Sequence, residues 1–165
     1  MINKELYDKT IKILVQAYVN DTLQHGWCSS CAVGNLVAYG MGTKPVKNSN
    51  VFGNGSFADW SMLFMTSIES DPISCISKKI QKFKAQYLDP SVCSNTSTQI
   101  GATGYEWYHL ALIEQAFERE IVNDEDNHSE RDTFDGLMAV IDVLGEIHEV
   151  DPIETEETKK LFVKC

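Results

Sequence analysis

Long apolar runs are missing from this chain of 165 residues. No stretch approaches the ~20 apolar residues that cross a bilayer, so no membrane-spanning helix is expected. Period-two alternation is nearly absent, which argues against a β-sheet scaffold. Phosphate-binding patterns are absent too. There is no P-loop and no G-x-G-x-x-G, and "GNGS" at 53–56 is too short to cradle a phosphate. No Ser-His-Asp order is present. The opening "MINKELYDKT" lacks the apolar middle of a secretory signal. Cys28, Cys31, Cys75, Cys93 and Cys165 are odd in number and irregular in spacing, a poor disulfide framework. A cytoplasmic setting with reduced thiols is the expectation.

Basic residues are scarce in one half of the chain. Residues 114–157 hold 16 of the 24 acids against only Arg119 and Arg131, which is −14; the remainder is +4 and the whole is −10. Such an acidic half repels phosphate backbones, so nonspecific nucleic-acid binding is disfavoured. One basic strip, "SKKIQKFK", carries Lys78, Lys79, Lys82 and Lys84. It reads as a solvated helix face or a complement to the acidic helices, with a phosphate contact as the alternative.

What is present is helical periodicity. Tyr7, Ile11, Leu14, Val15 and Tyr18 recur at helical spacing over 3–19. A small-residue helix is expected from about Cys31 to Tyr39, with Ala32, Gly34 and Ala38 allowing close approach. "GMGTKPVKNSNVFGNGS", 40–56, reads as a loop or a loop with a short hairpin. Ser56 and Asp59 predict a capping box for a helix over 57–69. Ile73, Ile76, Ile80, Phe83 and Tyr87 mark another, and 88–104 reads as loop. Thr103 and Glu106 predict the capping box of the next helix, with Tyr105, Leu112, Ile113, Ala116 and Phe117 inward. An acidic turn over 123–130 precedes a helix over about 132–149, and a short helix ends the chain. The fold class is all-α. Length and composition predict a single domain over 1–165, an orthogonal bundle of about six or seven helices with the glycine- and asparagine-rich loop at 40–56.

"HGWCSSCAVGNL", 25–36, concentrates the chemistry. It supports four readings. A zinc clasp would use His25, Cys28 and Cys31, with a fourth donor from Cys75, Cys93, His109 or His128. A redox pair would use Cys28 near a helix start, though the strand that precedes thioredoxin-type motifs is missing. A hydrolase reading rests on "QHGWCSSCA", which resembles the papain-type segment. That resemblance implies Cys31 as nucleophile, Gln24 at the oxyanion and His109 as the base, with one extra residue between Gln24 and Cys31. In the last reading both thiols are small, inert core residues, with Trp27 anchoring the turn.

Other residues attract attention. His109 and His148 lie on apolar helix sides and read as core histidines with a hydrogen bond each. "DEDNHSERDTFD", 124–135, echoes a calcium loop, but Ser129 replaces the required glycine and Asp135 the terminal glutamate, so a solvated turn is expected. Glu114/Glu118 and Asp142/Glu146 are i, i+4 acid pairs without the Glu-x-x-His of a di-metal bundle.

Three blocks carry a resemblance: "CSSCAVGNLVAYGMG" (28–42), "ATGYEWYHLALIEQAFE" (102–118) and "GLMAVIDVLGEIHEVD" (136–151). Together they resemble a group of small uncharacterised proteins of Bacteroidetes and their phages. The resemblance implies a bacterial cytoplasmic or virion-associated setting and brings no catalytic residue. The expected function is therefore non-catalytic binding of a protein or small-molecule partner, through the acidic face of 114–157 or the loop 40–56.

Overall fold

The computed structural model describes residues 2–27, 30–47, 51–52, 56–57, 101–119 and 130–162. These residues form an all-α bundle. Five helices are described: α1 (Lys4–Val19), α2 (Ala32–Gly40), α3 (Trp107–Arg119), α4 (Glu130–Ile147) and α5 (Pro152–Lys160). A two-stranded antiparallel hairpin pairs β1 (Val51–Phe52) with β2 (Ser56–Phe57). None of the described helices is long and apolar enough to cross a membrane.

α1 begins where Asn3 caps it, the Asn3 side chain accepting from Leu6 N at 3.1 Å. Its buried stripe is Tyr7, Thr10, Ile11, Leu14 and Ala17, with Ile13 beside it; Val15 and Tyr18 are half-buried. α2 differs in kind. Every residue from Ser30 to Ala38 is buried, so this segment has no wet face. α3 is likewise buried all round from Leu110 to Phe117, because α2 and α4 both pack on it. A helix enclosed on several sides must bury whatever polar residues it carries, and Glu114 and Gln115 follow from that.

One cluster of buried side chains joins the helices, with Leu14, Val33, Ile113, Phe117, Ile141 and Leu144 at its centre and Phe162 closing one side. Each such side chain contributes about 1.5–3 kcal/mol by leaving water. Close helix crossings rest on α4. A Cβ at Gly136 would lie 2.6 Å from the Phe117 carbonyl oxygen, and one at Gly145 would lie 2.7 Å from Thr155 Oγ1. Glycine costs a helix about 1 kcal/mol, which the tighter contact offsets.

Two expected helix starts are corrected. Ser56 does not cap a helix, because Ser56 and Phe57 pair with Phe52 and Val51 as a hairpin. Thr103 does not cap α3 either. Residues 101–103 are themselves helical, Gly104 at φ +78° reverses the chain, and Thr103 Oγ1 accepts from Tyr105 N at 3.2 Å. α3 starts later, and the Glu106 carbonyl takes its first bonds, from His109 and Leu110 N. α4 starts at Glu130, so Asp135 at the end of the calcium-like stretch is an exposed helical residue. Beyond Phe57, the helix expected over 57–69, the one over 73–87, the lysine strip and residues 120–129 lie outside the described residues.

Candidate functional site

Cys31 sits at the junction of the 22–31 turn with α2. It is the N-cap: its Sγ accepts from Gly34 N at 3.2 Å, and its own N–H donates to the Trp27 carbonyl. The helix therefore begins one residue beyond the thiol. Asn35, a polar residue inside an apolar helix, stitches the turn to α2. Its amide nitrogen donates to the carbonyls of Thr22, Ser30 and Cys31 at 2.9–3.0 Å, and its oxygen accepts from Thr22 Oγ1 at 2.8 Å. Gln24 is tied into the same turn: its Oε1 accepts from Ser30 Oγ at 3.1 Å and its N–H donates to the Ser30 carbonyl at 2.8 Å.

α3 supplies the charges opposite. Glu114 and Glu118, one turn apart, both face this turn. Glu114 is 5% exposed, and its carboxyl meets the Cys31 thiol and the Val33 N–H. Burial first, then the neighbouring Glu118 charge, push its pKa well above the usual carboxylate range. Its Oε2 is fully buried and has no hydrogen-bond partner among the described residues. The Cys31 thiol is completely buried. Burial first, then the Glu114 carboxyl, push its pKa well up, overriding the Gly34 N–H that favours the thiolate. Cys31 is thus held as a thiol.

His25 lies flat on Phe117, ring centres 4.3 Å apart and planes 18° apart. Its Nδ1 stands 3.9 Å from Glu118 Oε2, longer than a hydrogen bond. Both Glu118 oxygens instead accept from Gly26 N, at 3.0 and 3.1 Å. The structure thereby brings His25 and Cys31 to one wall with two glutamates. Among the described residues, no group of three or more His, Cys, Asp or Glu is arranged to hold a metal ion. Zinc binding would have to displace the Cys31 proton and draw a further donor to a thiol that is fully buried. Cys28, Cys75, Cys93 and His128 lie outside the described residues.

His109 belongs elsewhere. It precedes Glu114 on α3 by five residues, ~7.5 Å along the axis and ~140° around it. Its ring stands edge-on to Tyr105 and Tyr108, and it lines a cavity of about 150 Å³ between the start of α1, the 104–106 turn and the end of α4. Behind the cavity runs a buried polar chain. Thr10 Oγ1 meets the Tyr105 hydroxyl at 2.9 Å, that hydroxyl meets His148 Nε2 at 2.8 Å, and His148 Nδ1 meets the Ile2 carbonyl at 2.6 Å. The carbonyl only accepts, so Nδ1 carries a proton. Burial pushes the Tyr105 phenol far up, against a smaller opposing effect of its Thr10 bond, and keeps it protonated. The Ile2 N–H returns a bond to the His148 carbonyl at 2.5 Å. His148 therefore clamps the N-terminal arm onto the end of α4.

Sequence reasoning missed Asn35, the partnership of Glu114 with Cys31, and the Thr10–Tyr105–His148 chain. For Asn35 a signal existed: an amide in the apolar run "AVGNLVA" has to find partners when buried. Comparison of the chain with models of protein families, with curated proteins and with solved structures finds no match.

Proposed function

We propose that this chain is a non-catalytic binding protein, of a bacterium or its phage, that engages a basic protein partner through an acidic face on α4 and α5. The observation that carries the reading is the exposure of every acid from Asp135 to Glu157. Asp135, Asp142, Glu146, Glu149, Asp151, Glu154, Glu156 and Glu157 are all exposed. Lys159 and Lys160 are the only bases between residues 133 and 162. Lys159 is taken up within the fold, bonding Asp142 at 2.6 Å and Glu156 at 2.9 Å. Lys160 and Lys4 pair with Glu157 and Glu154, which leaves the acids in clear excess, and a surface with such an excess steers an oppositely charged partner. The complete burial of Cys31 supports the non-catalytic part, since a nucleophile must be reached by its substrate.

The test is capture of partners from host lysate by the native chain and by a Glu154→Lys, Glu156→Lys, Glu157→Lys variant. The reading expects a captured protein that is lost in the variant and in ~0.5 M salt, where screening is nearly complete. Capture unchanged by both treatments contradicts it.

A further inference from the structure

The cavity beside His109 stands apart from the acidic face, and its chemistry is specific. Leu6 and Ile147, half-buried, and Ile2, exposed at the rim, give it an apolar lining, while Glu106 stands at its edge, exposed to solvent. Glu106 is the only carboxylate among its described lining residues, and no lysine or arginine is among them. Its volume is about 150 Å³. An apolar cavity of about that volume admits a single six-membered ring.

Three helix ends border the space. The starts of α1 (at Asn3) and α3 (after Glu106) present positive dipole ends, and the end of α4 (Ile147, His148) presents a negative one. Each is worth about half a unit charge. One negative end cancels one positive end, and the full charge of Glu106 exceeds the half unit that remains. The chain's net charge of −10 further raises the local concentration of cations. Asn3 already spends its side chain on capping α1, and Tyr105 and His148 already spend their inner polar atoms on each other. The charge left to address a ligand is the carboxylate.

We propose that this cavity is a binding site for a small organic amine: an apolar body of one ring's size that sits on Ile2, Leu6 and Ile147, with a protonated nitrogen directed at Glu106. The site is independent of the partner-binding face, because none of its lining residues belongs to the Asp135–Glu157 set of exposed acids.

Three probes of matched shape test it: benzylamine, benzyl alcohol and benzoate, titrated into the full-length chain and followed by NMR. Measurement at about pH 8 keeps unperturbed imidazoles neutral. The expected result is saturable binding of benzylamine with a Kd on the order of 1 mM, weaker binding of benzyl alcohol and weakest of benzoate. Shifts should centre on Leu6, Tyr105, His109 and Ile147. Glu106→Gln should weaken benzylamine about three- to fivefold, the scale of an exposed ion pair, and leave benzyl alcohol unchanged. Leu6→Phe, which fills the cavity, should abolish binding of benzylamine and benzyl alcohol; if that variant unfolds, the Glu106→Gln titration decides alone. Absence of saturable shifts up to ~10 mM, ten times the expected Kd, overturns the proposal. So does benzoate binding as tightly as benzylamine, or a Glu106→Gln variant with unchanged amine affinity.

Discussion

Just ahead of α3, Tyr105 hands its buried hydroxyl to Thr10 and His148, and each polar atom of that chain has a partner. Midway along α3, Glu114 is also buried, yet one of its oxygens has none among the described residues. The two regions share a helix and a core but differ in accounting for their polar atoms. A satisfied buried network rigidifies; an incompletely satisfied one costs stability. Burial of an ionisable group therefore says little by itself. Its partners decide whether it serves as a clamp or as a liability.

The comparison breaks most visibly at the clamp. His148→Ala takes from the buried Tyr105 hydroxyl one of its two partners, leaves the Ile2 carbonyl without the imidazole, and removes a ring packed edge-on to Tyr7 and Tyr105. The expected loss is ~3 kcal/mol, a fall in Tm of roughly 6–12 °C at this chain length. Asn35→Ala leaves three carbonyls short of their side-chain donor and should cost ~2 kcal/mol, read in a urea titration as a lower midpoint with an unchanged slope.

At Glu114 the sign reverses. Its folded-state pKa is raised by burial and by Glu118, whereas an unfolded glutamate ionises near ~4.3. The unfolded chain thus releases this proton first, and the stability tied to it falls as pH rises above ~4.3 towards the folded value. Glu114→Gln carries no ionisable group, so its Tm should exceed the native one by a few degrees at neutral pH. That advantage should vanish below about pH 4. Paired thermal melts across pH read this directly, and a native chain more stable than the variant at neutral pH would contradict it. The smallest effect is expected at the surface. Lys159→Ala removes the bond to Asp142 that ties α5 to α4 and the i,i+3 bond to Glu156 within α5, and should cost no more than ~1 kcal/mol, less in high salt.

These differences also explain what could be read in advance. The stripes of α1 and α4 were legible because both helices keep a wet face, so the 3.6 period survives in the sequence. Cys31 at the start of a small-residue helix was legible because the run from Ala32 to Ala38 is apolar but for Asn35, and that segment is buried throughout. The Glu114–Cys31 contact was not legible. It depends on where α3 crosses the start of α2, some eighty residues away in the chain, and no local pattern encodes that crossing. Glu114 and Glu118 were visible as a pair one turn apart, but their partners were not. The capping boxes at Ser56 and Thr103 failed because a second local structure, the hairpin in one case and the Gly104 reversal in the other, claimed the same residues. His148 was expected to be a core histidine with a hydrogen bond, and it is buried with one on each nitrogen.

The burial of the Cys31 thiol is the centre of the account, because the proposed binding role needs a sulfur that no substrate reaches. Site-resolved alkylation by iodoacetamide near neutral pH measures it. The account predicts that Cys31 is modified only as fast as the chain opens, with denaturant required for rapid labelling. Rapid labelling of Cys31 in the folded protein would contradict it.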